Sequence, residues 1–240
     1  MATSTSERGK ISDAPAQRSL HAYDPLCRSS KDTAGFIIGH KYEAIVTVAL
    51  TLGLRRGETL GLRWRDINFE TSRLTVRHSL ETVKGKGARL TDTKSEKSKR
   101  ELRIPQICLI ALEKHQNDQA KQIQWAGTKW KNGDFVFTTS LGTPMHPDEI
   151  SHVFPQILND AKLPKVRFHD LRHTCASLLL SLGVPAKLVQ ETLGHSTYQL
   201  TMDTYSHMIP ALRNEVADRM DEILSTTVNE AVKPATARIN

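Results

Sequence analysis

Apolar residues recur at helical spacing near the start of the body of the chain. Within residues 41–52, Ile45, Val48, Ala49 and Leu52 lie three or four positions apart and therefore share one face of a helix. Gly53 follows directly, and glycine commonly ends a helix. The same period predicts further helices over 57–62, 106–122, 147–161, 169–182, 186–193, roughly 197–204, and 211–224.

Three shorter segments have the alternation and the β-branched content that are typical of strands. They are residues 73–81 (RLTVRHSLE), 88–93 and 100–105. We expect them to form a small three-stranded antiparallel sheet whose last hairpin carries a basic segment. The predicted fold class is therefore α+β, mostly helical with one small sheet.

The two ends of the chain differ in composition from the body. Residues 1–38 are rich in Ser, Thr and charge and have no usable period, so we expect a flexible polar head. The body over 39–225 is one folded domain in this interpretation, and 226–240 is a flexible tail. A 38% hydrophobic content is enough for a core in this body.

Apolar stretches and cysteine usage also indicate the cellular compartment. The longest apolar stretches, such as AIVTVAL at 44–50, are too short to span a bilayer, and the N-terminus has no apolar signal segment. Cys27, Cys108 and Cys175 are widely spaced and odd in number, which favours reduced, structural thiols. These features predict a cytoplasmic protein.

Positive charge is concentrated in one segment. The formal net charge is +7, and between Lys84 and Arg103 eight basic residues accompany only three acidic ones. This local excess favours a polyanionic partner, although a solvated hairpin could carry the same charges.

The segment HDLRH at 169–173 contains two histidines four residues apart. On a helix His169 and His173 share a face, as the ligands of zinc peptidases do. Arg172 lies on the same side, where its guanidinium would repel a metal ion but would bind a phosphate. The residues alone leave a metal site and an anion clamp both open.

Four further residues are candidates that would each have a plain explanation in isolation. Arg55 follows the predicted helix end and Glu58 is three residues later, so the two could form an ordinary surface ion pair. Lys94 lies near a predicted turn and could simply be solvated. Tyr205, ten residues after His195, could be a core or rim residue of its helix.

The combination and order of these residues resemble the active-site signature of the tyrosine recombinases, the phage-integrase family. The matching pieces are G-L-R-x-x-E at 53–58, R-W-x-D-I at 63–67, T-K-S with a downstream K-R at 93–100, H-D-L-R-H at 169–173, L-G-H-S at 193–196 and M-D-T-Y-S-H at 202–207. The resemblance covers about residues 40–215. It implies a catalytic domain over 39–225 that acts on double-stranded DNA, and it favours the anion clamp at HDLRH.

The resemblance also implies a role for each residue in the transfer of protons and of the phosphate. Tyr205 would attack the scissile phosphodiester and leave a 3′-phosphotyrosine and a free 5′-hydroxyl, so that rejoining needs neither ATP nor a metal. A phenol has a reference pKa of about 10, and its attack therefore benefits from a base. His169 would accept that proton, and Lys94 would protonate the departing 5′-oxygen.

The remaining residues would handle charge. By the same resemblance, Arg55 and Arg172 would bind the two non-bridging oxygens, and His195 would donate a hydrogen bond to the same phosphate. Glu58 would orient the arginine and take no part in bond making. We assign no metal ligand and no cofactor.

The resemblance leaves three matters open. Relatives usually carry a core-binding domain before the catalytic domain, and the segment ahead of the first catalytic helix is too short for one, so we expect a truncated protein whose autonomous recombination is in question. The predicted helix 211–224 has Leu212, Val216, Met220 and Ile223 on one stripe, either to dock on a second subunit or to pack on its own body. Alternatives to recombination are a type IB topoisomerase, a DNA-binding module that does not cleave, and a zinc hydrolase built on HDLRH.

Overall fold

The computed structural model describes residues 35, 37–83, 87–92 and 99–195. Its helices are α1 (Glu43–Leu52), α2 (Arg56–Leu60), α3 (Gln106–Ala126), α4 (Pro147–Asp160), α5 (Asp170–Ser181) and α6 (Ala186–Leu193). The helices predicted over 197–204 and 211–224, the tail and almost all of the head lie outside the described residues. Among the described helices, none is both long and apolar enough to cross a membrane.

Helix α1 lies at the centre of the molecule. It packs against α3 on one side and α5 on another, and it is buried on nearly every face, with Ile45 and Val48 almost fully enclosed. A helix surrounded in this way needs apolar residues all round, which explains the continuous run AIVTVAL. The helix ends as predicted at Gly53, whose φ of 60° is the left-handed conformation that glycine adopts readily.

The other described helices lie where the apolar period predicted them, with small shifts at their ends. Helix α6 has the predicted bounds, α4 ends one residue earlier than predicted, and α5 is one residue shorter than predicted at each end. Helix α3 is four residues longer than predicted. Its last turn includes the exposed side chains of Ile123 and Trp125, so the buried apolar stripe on which the prediction depends ends before the helix does.

The predicted three-stranded antiparallel sheet is present, but its strands differ from the prediction. It consists of β1 (Ile67–Asn68), β2 (Arg73–Val76) and β5 (Arg100–Arg103), in that order, while β3 (His78–Val83) and β4 (Gly87–Asp92) form a separate hairpin. The single strand predicted over 73–81 is therefore wrong. The chain changes its partner strand at Arg77. Val76 pairs with Arg100 of β5, whereas His78 pairs with Asp92 of β4.

A buried polar contact holds this partner change in place. Arg77 forms an ion pair with Asp66 at 3.1 Å, and the Asp66 side chain is only 3% exposed. Trp64, two residues earlier, donates from its indole Nε1 to Gln119 of α3 at 2.7 Å. The R-W-x-D-I segment thus ties the sheet to the long helix and has a structural role.

Candidate active site

The turn after α1 places a backbone carbonyl where an arginine can reach it. Arg172, on the first turns of α5, donates from Nη1 to the Gly53 carbonyl at 2.7 Å and to the Leu193 carbonyl at 2.8 Å. The residue is 4% exposed, so its charge is held by hydrogen bonds inside the protein. Arg172 therefore links the end of α1 to the end of α6.

Arg55 reaches the end of α6 from the other side. Its Nη2 donates to the Gly194 carbonyl at 2.7 Å, and its Nη1 donates to Glu58 Oε1 at 2.6 Å. The side chain remains 39% exposed. Two guanidiniums from distant segments are thus bound to the consecutive carbonyls of Leu193 and Gly194, directly before His195.

Glu58 is the buried carboxylate of this cluster. It lies near the start of α2, where its Oε2 accepts from the Arg55 backbone N–H at 2.9 Å, as an acidic residue in a capping box does. Burial alone raises the pKa of Glu58, but the charges and hydrogen bonds of Arg100 and Arg55 outweigh it and hold that pKa below its ordinary value. Glu58 is therefore ionised at neutral pH and fixes the orientation of Arg55.

Arg100 belongs to the cluster although no sequence motif assigned it to the site. It donates from Nη2 to Glu58 Oε2 at 3.0 Å and from Nε to the Thr192 carbonyl at 2.8 Å, and its side chain is 8% exposed. The only signal in the sequence was its place at the end of the K-R piece, within the basic segment. Its partners come from remote parts of the chain, so no local pattern identifies them.

His195 follows the glycine that ends α6. Gly194 has a φ of 69°, which turns the chain so that His195 continues beside the two bound arginines. Burial lowers the pKa of His195 to about 4, and the cations Arg172 and Arg55 add to that effect. The imidazole is therefore neutral at pH 7 and can donate from one ring nitrogen only.

His169 lies directly before α5, close enough to Arg172 for that charge to act on its imidazole. Its ring meets that of His173 edge-on, with centroids 5.7 Å apart. Partial burial lowers the pKa of His169, and His173 and Arg172 lower it further, so the ring is predominantly neutral at pH 7 and can accept a proton. Asp170 accepts from the Arg167 backbone N–H at 2.9 Å, which fixes the turn on which His169 lies.

The structure brings Arg55, Glu58, Arg172 and His195 together. Lys94 and Tyr205 lie outside the described residues, so their assignments stay predictions. Within the part of the chain that is described, no three His, Cys, Asp or Glu side chains form a group able to hold a metal ion. Cys108 and Cys175 are free and buried, and burial raises the pKa of each thiol to about 12.

Similar proteins fall into one family. The model described as the Phage integrase family matches residues 32–211. A "Tyrosine recombinase XerC-like" protein of Caldanaerobacter subterraneus is 35% identical over 196 residues, which cover 77% of this chain and 50% of the relative. The ICEBs1 integrase of Bacillus subtilis is 30% identical over 183 residues, which cover 76% of this chain and 49% of that protein. The chain thus spans about half the length of these curated relatives.

Solved structures agree on the fold. The Tn1549 transposon integrase in complex with transposon right end DNA has a TM-score of 0.68 at 23% identity, covering 80% of this chain and 64% of that one. The XerA recombinase has a TM-score of 0.63 at 22% identity, covering 80% of this chain and 63% of the other. Since the family model matches most of the chain and these integrase and recombinase structures share its mostly helical fold with a small antiparallel sheet, the chain belongs to the phage integrase family of tyrosine recombinases.

Proposed function

We propose that this chain is the catalytic domain of a site-specific DNA recombinase or integrase, which cuts and rejoins double-stranded DNA through a 3′-phosphotyrosine intermediate. Membership of the phage integrase family and the names of its relatives support this class of reaction. The excess of basic residues supports a polyanionic substrate.

One observation carries the proposal. Arg55 and Arg172 come from segments more than a hundred residues apart, yet both bind the last turn of α6, through the carbonyls of Gly194 and Leu193. Each guanidinium is held in place before any substrate arrives. Preorganised cations beside a phosphate stabilise the added negative charge of a pentacoordinate transition state without reorganising during the reaction.

The proposed reaction begins with the Tyr205 hydroxyl. Its oxygen forms a bond to the scissile phosphorus while the bond to the 5′-oxygen breaks, so one phosphodiester replaces another. The phenolic proton passes to neutral His169, whose lowered pKa keeps it unprotonated at pH 7. Arg55, Arg172 and His195 bind the non-bridging oxygens, and Glu58 orients Arg55.

Lys94 supplies the proton that the 5′-oxygen takes as it leaves. An alkoxide is a poor leaving group, whereas a thiolate leaves without protonation. Lys94→Ala should therefore slow cleavage of ordinary DNA by roughly 10²- to 10⁴-fold, and should recover most of its rate on DNA with sulfur at the 5′-bridging position. Arg172→Ala is the matched control and should not recover, because the charge on the non-bridging oxygens is unchanged. Equal defects of Lys94→Ala on both substrates would exclude it as the acid.

A suicide substrate tests the function itself. DNA nicked near the cleavage site loses a short fragment after attack and traps the protein covalently, and the adduct is measured on a denaturing gel. The wild-type chain should form the adduct, and Tyr205→Phe should form none while binding DNA with nearly unchanged affinity. An adduct formed by the Phe variant would show that another group is the nucleophile.

Three further measurements on DNA separate the alternatives. Cleavage that is lost with EDTA, is restored by zinc and leaves no covalent adduct would favour a hydrolase at HDLRH over the phosphate clamp. Relaxation of supercoiled plasmid without strand exchange would favour a type IB topoisomerase, and DNA binding with no adduct would favour a binding module.

The wider assignments belong to the same proposal. We place the catalytic domain at 39–225, between a polar head and a polar tail, in a cytoplasmic protein. Self-association on DNA would use the segment 211–224. Light scattering with and without DNA, on the full chain and on a Met220→Asp variant, tests that contact.

A further inference from the structure

We infer that Arg100 is a positioning residue of this site, which neutralises Glu58 so that the charge of Arg55 stays available to the scissile phosphate. The inference rests on the proposed function, because it assigns Arg55 to the phosphate. It adds a third arginine with a task different from those of the other two.

The geometry places Arg100 behind the reacting groups. Both of its terminal nitrogens face the Glu58 carboxylate, with Nη2 to Oε2 at 3.0 Å and Nη1 to Oε1 at 3.3 Å. The Arg100 side chain is 8% exposed, whereas that of Arg55 is 39% exposed. Arg55 therefore has exposed surface that DNA can contact, whereas both terminal nitrogens of Arg100 are bonded to the carboxylate beneath it.

Charge explains why a second cation is needed there. Glu58 bonded to Arg55 alone would form a neutral pair, and much of the attraction between Arg55 and a phosphate would be cancelled. Two arginines on one buried carboxylate leave a net charge of +1 on these three groups. Glu58 can then hold Arg55 by hydrogen bonds without neutralising the site.

A second set of contacts couples Arg100 to the turn that binds the other arginines. Its Nε donates to the Thr192 carbonyl at 2.8 Å, directly before the Leu193 and Gly194 carbonyls. A Cβ on Gly194 would lie 2.8 Å from Arg100 Nη1, so the guanidinium fits here because position 194 is glycine. These contacts fix the distance between strand β5 and the end of α6.

The pH dependence of cleavage distinguishes this role from a general structural one. Among the residues that the structure describes, the charged groups facing Glu58 are Arg55 and Arg100, and Arg172 and His195 complete the cluster. Removing Arg100 leaves the burial of Glu58 but takes away a cation, so its pKa should rise. A protonated Glu58 holds Arg55 less firmly. As the pH is lowered, the cleavage rate of the Arg100 variant should therefore begin to fall at a higher pH than that of the wild type.

The experiment measures single-turnover cleavage of the suicide substrate between pH 5 and 9. Arg100→Met should lose about 10- to 100-fold in rate, the usual range for a residue that supports a catalytic group, and its acidic limb should move to higher pH. Arg100→Lys keeps the charge and should retain the wild-type limb. Arg103→Met removes a cation from an exposed position of the same strand and should leave the limb in place.

A double variant gives the sharpest outcome. With glutamine at position 58 there is no charge to neutralise, so Arg100→Met combined with Glu58→Gln should cleave at least as fast as Arg100→Met alone. The double variant should also lose the shift of the acidic limb that Arg100→Met causes, while protonation of His169 affects both variants alike. Rate losses that multiply would mean that the two residues act independently, and would overturn the inference.

A measurement without DNA separates this inference from the proposed function. The Glu58 carboxyl is followed by ¹³C NMR during an acid titration of the wild type and of Arg100→Met, with Glu58→Gln to assign the signal. A higher midpoint in Arg100→Met supports the inference even if the wild type forms no adduct, which would defeat the proposed function alone. Equal midpoints would overturn the inference even if the wild type cleaves DNA.

Discussion

Replacing Gly53 with alanine should damage stability and the site together. Gly53 has a φ of 60°, and an added Cβ would lie 2.4 Å from Leu193 Cδ2 and 3.1 Å from Cys175 Sγ. Its carbonyl also accepts from Arg172. A shift that relieves the overlap would therefore move a group that holds the arginine.

The structure gives a matched control for the size of the effect. Gly183 also has a positive φ, of 76°, but among the described residues no heavy atom lies within 4 Å of the place of its Cβ. An L-residue in the left-handed region costs about 1–2 kcal/mol, and this is the whole cost expected for Gly183→Ala. Overpacking adds about 1–3 kcal/mol, so we expect Gly53→Ala to lose about 2–5 kcal/mol.

Urea unfolding at pH 7, followed by tryptophan fluorescence, measures both free energies of unfolding. Adduct formation at a temperature where both variants remain folded then measures the site, and the rate should fall for Gly53→Ala but not for Gly183→Ala. Equal losses of stability would show that close packing between the α1 turn and α6 is not what requires glycine at position 53. An unchanged adduct rate would refute the coupling of this turn to Arg172.

Two further predictions concern titration and reactivity. The pKa of His195 is lowered to about 4, so the unfolded chain binds a proton more readily than the folded chain between pH 6.5 and 4, and the free energy of unfolding should fall as the pH drops through that range. Urea unfolding of His195→Asn should show a smaller fall than that of the wild type. An equal fall in both proteins would contradict the prediction. With pKa values of about 12, the thiols of Cys108 and Cys175 should resist iodoacetamide at pH 8 until the protein unfolds. Mass spectrometry of a Cys27→Ser variant measures their alkylation. Alkylation of the folded protein would contradict their burial.

The sequence by itself determined the elements whose signals are local. The apolar period and the following glycine predicted α1 and its end at Gly53, and α6 was predicted with the bounds that the structure shows. These features depend on side chains within a few positions of each other, which a linear pattern records. The family was also evident from short motifs, because their residues and order are preserved along the chain.

Only the tertiary structure decided which distant groups meet. The segment 73–81 has the composition of one strand, yet it divides between two sheets at Arg77 because strand partners lie far apart in sequence. Arg100 joins Glu58 and Thr192 for the same reason. Propensity acts between neighbours, whereas strand pairing and the neutralisation of a buried carboxylate depend on groups that folding alone brings together.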